Sequence, residues 1–180
     1  MLYNYNEIKE KYKSTYQIRK ALKNKEIYKI EKGIYSDKPS AHYLSVLMKK
    51  YPYGVIASKS AYYYYDFTDV IPEKIFLATN RNSTTITSKH IKQIRMTDDL
   101  YKLGKTQIEY EGNIINIYDK ERMLIELARN KNQMGYDLYK EIVSNYRKIA
   151  DELDISKIEE YLPHFANADK IFEIMQDEVF

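Results

Sequence analysis

Between Ser14 and Tyr35 the hydrophobic period of the chain changes from helical to extended, and this switch restricts what the N-terminus can fold into. Ser14-Thr15-Tyr16-Gln17 has the form of a capping box. In it the Ser14 hydroxyl accepts the third-position amide and Gln17 reaches back to the amide of Ser14. A helix is therefore expected from about Thr15. Its apolar residues Ile18, Ala21 and Leu22 share one face, Thr15, Tyr16, Arg19, Lys20 and Lys23 occupy the other, and Asn24 stops it. The next segment, Ile27 to Tyr35, places β-branched and aromatic residues on both sides of a turn containing Gly33. Glycine there supplies the positive φ of a tight hairpin. Upstream, Tyr5, Ile8 and Tyr12 recur at helical spacing behind two candidate caps, Asn4 and Asn6.

Helix, short turn, helix and hairpin is the element order of a winged helix-turn-helix, whose second helix enters the major groove. We assign residues 1–37 to such a domain. Lys38-Pro39-Ser40 reads as a connector, because Pro39 cannot continue a strand's ladder. Residues 38–180 read as a mixed α/β domain with a C-terminal helical bundle, so the expected fold class is α+β. Its elements are a helix over about 40–50, a short strand at 54–57, a helix from Ser58 to Tyr65, strands at 74–78 and 91–96, and a hairpin over 106–117 turning at Gly112. Asp119 caps the first of the closing helices, and Tyr139, Ile142, Val143, Tyr146, Ile149 and Ala150 form the apolar stripe of the next.

Charge is distributed unevenly. The chain has 29 Lys and Arg against 26 Asp and Glu, a net of +3. Residues 1–37 carry 9 basic and 5 acidic side chains, residues 38–149 carry 18 and 12, and the remainder carries 2 and 9. A basic body with an acidic tail fits a polyanionic partner, and many solvated surfaces share the pattern. No apolar run approaches the ~20 residues of a membrane-spanning helix, and Met1-Leu2-Tyr3-Asn4-Tyr5 lacks the pattern of a secretory signal. The absence of Cys excludes disulfides, thiolate metal sites and Cys nucleophiles. A cytoplasmic location is expected.

Chemistry is harder to find. His42, His90 and His164 have no neighbours at metal-ligand spacing, and five Gly residues build no phosphate-cradling loop. Asp98-Asp99 suits a helix start better than a catalytic pair. Glu7, Asp66 and Asp69 are the weak candidates for a metal-dependent enzyme acting on nucleic acid. Tyr62-Tyr63-Tyr64-Tyr65 either fills core margins or stacks on bases. The reading is of a non-enzymatic protein with no catalytic residue, no metal and no cofactor.

Several longer stretches carry a family resemblance. Tyr28-Lys29-Ile30-Glu31-Lys32-Gly33-Ile34-Tyr35 resembles the wing segment of the AbiEi antitoxins. Ser58-Lys59-Ser60-Ala61-Tyr62-Tyr63, with Phe67-Thr68-Asp69 and Pro72, resembles the start of that family's C-terminal domain. Glu109 to Tyr118, leading into Asp119-Lys120-Glu121-Arg122-Met123-Leu124-Ile125-Glu126-Leu127, is similar to its hairpin and the helix that follows. The likeness continues through Tyr139-Lys140-Glu141 and Asn145-Tyr146-Arg147. It implies the antitoxin of a type IV toxin–antitoxin system, of the kind that aborts phage infection. Such a protein binds inverted repeats in promoter DNA to repress its own operon. It also counteracts an AbiEii-type nucleotidyltransferase toxin without a stable complex. A monomer in solution is expected, and a regulator of a mobile element without a toxin partner is the alternative.

On this reading the DNA-binding residues are Thr15, Tyr16, Gln17, Arg19, Lys20 and Lys23 of the second helix, with Lys29 and Lys32 on the wing. Arg19 is the expected base reader, because a guanidinium engages guanine bidentately. The two wing lysines are expected on phosphates. Arg122, Arg129, Lys131, Arg147 and Lys148 are candidates for antitoxicity. Arg122 has a second reading, as a buried structural arginine paired with a carboxylate.

Overall fold

A computed structural model describes residues 1–180. The fold is α+β, with nine α-helices and two sheets, and it separates into two compact units. The first unit comprises residues 1–54 together with 109–115, and the second comprises 55–108 and 116–180.

The first unit is built on a three-stranded antiparallel sheet. Its strands are β1 (Leu2–Asn4), β2 (Tyr28–Glu31) and β3 (Ile34–Ser36), in the order β1-β3-β2. Strand β1 has too few residues to show an alternating pattern, and it exists because β3 supplies its ladder, Tyr3 standing opposite Tyr35. Helix α1 (Tyr5–Tyr12) begins at Asn4, where the capping box is complete: Asn4 Oδ1 accepts from the Glu7 amide at 3.0 Å, and Glu7 Oε2 accepts from the Asn4 amide at 2.7 Å. Helix α2 (Thr15–Lys23) begins at Ser14, whose hydroxyl accepts from the Gln17 amide at 3.2 Å. Here the reciprocal arm from Gln17 is not formed. Ile8, Ile18, Ala21, Ile27 and Tyr35 close one core between the helices and the sheet, with Tyr3, Tyr12 and Leu22 at its margin.

The unit extends beyond the boundary at residue 37 expected from the sequence. Helix α3 (Tyr43–Lys50) packs on β1 and β3, buries Leu44 and Leu47, and belongs to the same compact body. It starts at His42 rather than Ser40, with His42 Nδ1 accepting from the Leu44 amide at 3.4 Å.

The remaining elements surround a five-stranded mixed sheet, which belongs to the second unit except for residues 109–115 at the β7–β8 turn. Strands β4 (Val55–Ile56), β5 (Ile75–Asn80), β6 (Ile91–Met96), β7 (Lys105–Tyr110) and β8 (Asn113–Tyr118) run in the order β6-β5-β4-β8-β7. The β4–β5 pair is antiparallel, and β5–β6 and β4–β8 are parallel. Helix α4 (Ser58–Tyr64) carries most of the tyrosine run. Tyr62 and Tyr64 are buried, and the Tyr62 and Tyr65 hydroxyls donate to the carbonyls of Met123 and Tyr118 at 3.0 and 2.8 Å. These are core-margin tyrosines whose hydroxyls find backbone partners. Asp98 and Asp99 occupy the first turn of the short helix α5 (Asp98–Lys102).

Helix α6 (Lys120–Arg129) lies at the centre of the closing helices, packed by α4, α8 (Ile155–Tyr161) and α9 (Ala168–Glu178). It is buried on several faces at once: Glu121, Arg122, Met123, Leu124, Ile125, Leu127 and Ala128 are all buried. Helix α7 (Tyr136–Lys148) buries Tyr139, Ile142, Val143 and Tyr146 of the expected stripe, whereas Ile149 and Ala150 lie beyond its end and are half-buried. No helix of the chain is long and apolar enough to cross a membrane.

Candidate nucleic-acid interface

Helix α2 has two chemically distinct sides because its apolar residues are three and four apart. Ile18 and Ala21 are buried in the core, so the intervening residues must face outward. Thr15, Tyr16, Gln17, Arg19, Lys20 and Lys23 are all exposed, and Tyr16 keeps 76% of its surface in solvent. Tyr16, Lys20 and Lys23 follow helical spacing along one strip, with Arg19 beside them.

The hairpin adds two more cations. Gly33 adopts φ +85° at the turn, a conformation that admits glycine without a Cβ penalty. Lys32 precedes it and is exposed. Lys29 is exposed too, and its cross-strand partner is the core residue Tyr35. Directly opposed residues of an antiparallel pair share one face of the sheet. Lys29 therefore stands on the helix side of the sheet, at its open edge, where the core ends. None of Arg19, Lys20, Lys23, Lys29 and Lys32 forms an ion pair with a carboxylate.

Two cations of this region have no motif that would reveal them in the sequence. Lys13 and Lys25 flank α2, both are exposed, and both hold left-handed backbones at φ 59° and 58°. Glu7, by contrast, is engaged structurally. It completes the cap of α1 and accepts from Lys49 Nζ at 2.7 Å. The Lys49 ammonium, followed by the Asn4 amide, holds its carboxyl below the usual range. Asp66 and Asp69 are exposed in the second unit, and no three His, Asp or Glu side chains converge anywhere in the chain.

The antitoxicity candidates of the second unit fall into separate places. Of its two readings Arg122 takes the structural one: it is fully buried and paired with a carboxylate rather than accessible. Its Nη2 donates to Glu126 Oε1 at 2.8 Å, one turn along α6. Its guanidinium lies 4.2 Å from the centroid of the Phe165 ring and 5.3 Å from that of Tyr118. Burial pulls its pKa down, and Glu126 opposes that shift. Arg129 is exposed and shares Glu126 at 3.3 Å. Lys131 is paired with Glu178, whose backbone carbonyl accepts from Arg147 Nε at 2.6 Å. Lys148 donates to Asn145 at 2.8 Å. Lys131 and Arg147 thus meet at Glu178 on the last turn of α9, whereas Arg122 and Arg129 share Glu126 on α6.

In comparisons with known proteins, no family model matches this chain and no curated protein is significantly similar to it.

Proposed function

We propose that this chain is a DNA-binding antitoxin that represses its own operon and counteracts a nucleotidyltransferase toxin. In it the first unit works as a winged helix-turn-helix. The observation that carries the DNA-binding half is the set of exposed, unpaired cations on α2 and on the β2–β3 hairpin of one compact unit. Unpaired cations at a surface release condensed counterions when they meet phosphates, and this drives association with a duplex.

In the proposed mode α2 lies in the major groove. Arg19 reads guanine, while Lys20 and Lys23 follow the backbone. The N-terminal turn at Thr15, Tyr16 and Gln17 offers amides and polar side chains to a phosphate. Lys29 and Lys32 anchor the neighbouring backbone, which sets register without reading sequence. The antitoxin half is supported by the family resemblance of the C-terminal segments, and Arg129, Arg147 and Lys148 are its exposed candidate contacts.

Fluorescence anisotropy with a duplex carrying the chain's own promoter, against a random duplex of equal length, tests the repressor half. Preferential binding to the promoter is expected, falling as salt rises. Equal affinity for both duplexes would remove it. Co-expression of the full chain with an AbiEii-type nucleotidyltransferase toxin tests the antitoxin half, with growth rescue as the expected outcome. Toxicity undiminished by a well-expressed chain would contradict it.

A further inference from the structure

The second unit contains a cavity of about 580 Å³ whose wall is strongly cationic. Lys59, Lys92, Arg95, Arg122 and Arg129 line it, against a single carboxylate, Glu126. That carboxylate is already shared between Arg122 and Arg129. Arg122 is the informative member. It is fully buried, yet its Nε and Nη1 have no hydrogen-bond acceptor. A buried guanidinium short of acceptors leaves positive charge uncompensated in a medium that screens weakly. Arg122 lines the cavity, so a polyanion held there by Lys59, Lys92 and Arg95 would place counter-charge beside it. Lys59 and Lys92 are exposed, and Lys92 sits 5.4 Å above the ring of Phe76, itself part of the wall.

The other walls define the rest of the ligand. Phe76, Tyr118, Met96 and Met123 give the cavity apolar and aromatic surface, and Asn130 and Gln133 bring amides to it. The volume lies within the ~300–1,000 Å³ of ordinary small-molecule pockets, several times what a lone phosphate needs. We propose that this cavity binds a free nucleoside polyphosphate, with the phosphates toward Lys59, Lys92 and Arg95 and the base against the aromatic wall. A single pocket of this size suits one nucleotide, whereas a nucleic-acid strand is held along a groove lined with successive stacking platforms. The site is independent of the proposed DNA contacts, since none of its residues belongs to α2 or the β2–β3 hairpin.

The test is calorimetric titration of the full chain with ATP, GTP, adenosine, inorganic tripolyphosphate and a single-stranded 12-nucleotide oligomer. The expected result is saturable binding of ATP or GTP. Tripolyphosphate should bind at least tenfold more weakly, adenosine at least a hundredfold more weakly, and the oligomer no more tightly than the mononucleotide. The double variant Lys59→Ala, Lys92→Ala changes only exposed side chains. It should lose at least tenfold in nucleotide affinity while keeping its thermal midpoint and its binding to promoter DNA. Arg122→Met offers a second variant, in which nucleotide binding should fall and the nucleotide-induced rise in midpoint should disappear. No saturable nucleotide binding, tripolyphosphate binding as tight as ATP, preference for the oligomer, or unchanged affinity in the folded double variant would each overturn the assignment.

Discussion

Lys49 of α3 and Glu7 of α1 meet at 2.7 Å, forty-two residues apart in sequence, and the contact joins the third helix to the cap of the first. Glu7 is thus a cap and an ion-pair partner together. Glu7→Ala loses both the arm lent to the Asn4 cap and the ion pair, whereas Lys49→Met loses only the ion pair, worth about 0.2–1 kcal/mol when exposed. Glu7→Ala should therefore cost more than Lys49→Met. The pH dependence has a definite sign. Because the folded carboxyl titrates below its ordinary value of 4.5, the pair's stabilisation is fully present above that pH. It is lost as pH falls through the lower folded value. Lys49→Met should start to unfold at a higher pH on the acid side than the parent chain. Equal stability of the two chains at neutral pH, together with an identical acid limb followed by circular dichroism, would show that the contact contributes nothing.

Replacing Lys29 and Lys32 together by Ala should weaken DNA binding evenly across sequences. Each lost phosphate contact should reduce the slope of log affinity against log salt by ~0.9. Anisotropy titrations from low to moderate salt provide the check. An unchanged slope would exclude the hairpin from the interface.

Arg19→Ala should separate reading from anchoring. The loss at the promoter duplex is expected to be about 1–3 kcal/mol, and the loss on random duplex smaller. Equal losses on the two would make Arg19 a phosphate contact.

Arg122 and Glu126 should respond very differently to truncation. Removing the carboxylate in Glu126→Ala strands a buried guanidinium, a change that costs about 3–5 kcal/mol where the charge stays buried. Arg122→Met removes the charge instead and should be near neutral or stabilising, since two of its nitrogens have no acceptor. Chemical denaturation of both variants decides the matter. Greater damage from Arg122→Met than from Glu126→Ala would contradict this account.

Gly104 is tied to the same arginine. It holds φ +71°, and a Cβ there would lie 2.6 Å from Arg122 Cβ and 3.0 Å from Asp119 Oδ1. Gly104→Ala would therefore suffer both backbone strain and collision with a buried helix start. A loss of about 1–3 kcal/mol is expected. Gly33→Ala shares the positive φ but has open space, so it should cost less. Equal losses in a denaturation series would mean that the collision is relieved at no cost.

What was legible in the sequence was local. Ser14 as the start of α2, Gly33 in the turn, the buried Ile18 and Ala21 and the stripe of α7 all rest on interactions between residues a few positions apart. The outward face of α2 follows by subtraction, so each of its predicted contacts was found exposed. Strand β1 could not be read, because its ladder comes from β3, with Tyr3 opposite Tyr35. The end of the first unit was misplaced for the same reason: Leu44, Leu47 and Lys49 bind residues that only folding brings near.

Arg122 shows the division most directly. Its spacing from Glu126 is visible in the primary structure as an i,i+4 pair, a pattern equally suited to a solvated helix face. Only the packing of α4, α8 and α9 around α6 takes that pair out of water. The cationic cavity arises the same way, from side chains spread between residues 57 and 134 that no local rule connects. Short-range backbone and side-chain preferences are written along the chain, whereas burial and charge compensation are properties of the assembled solid, because they depend on which distant atoms displace the solvent.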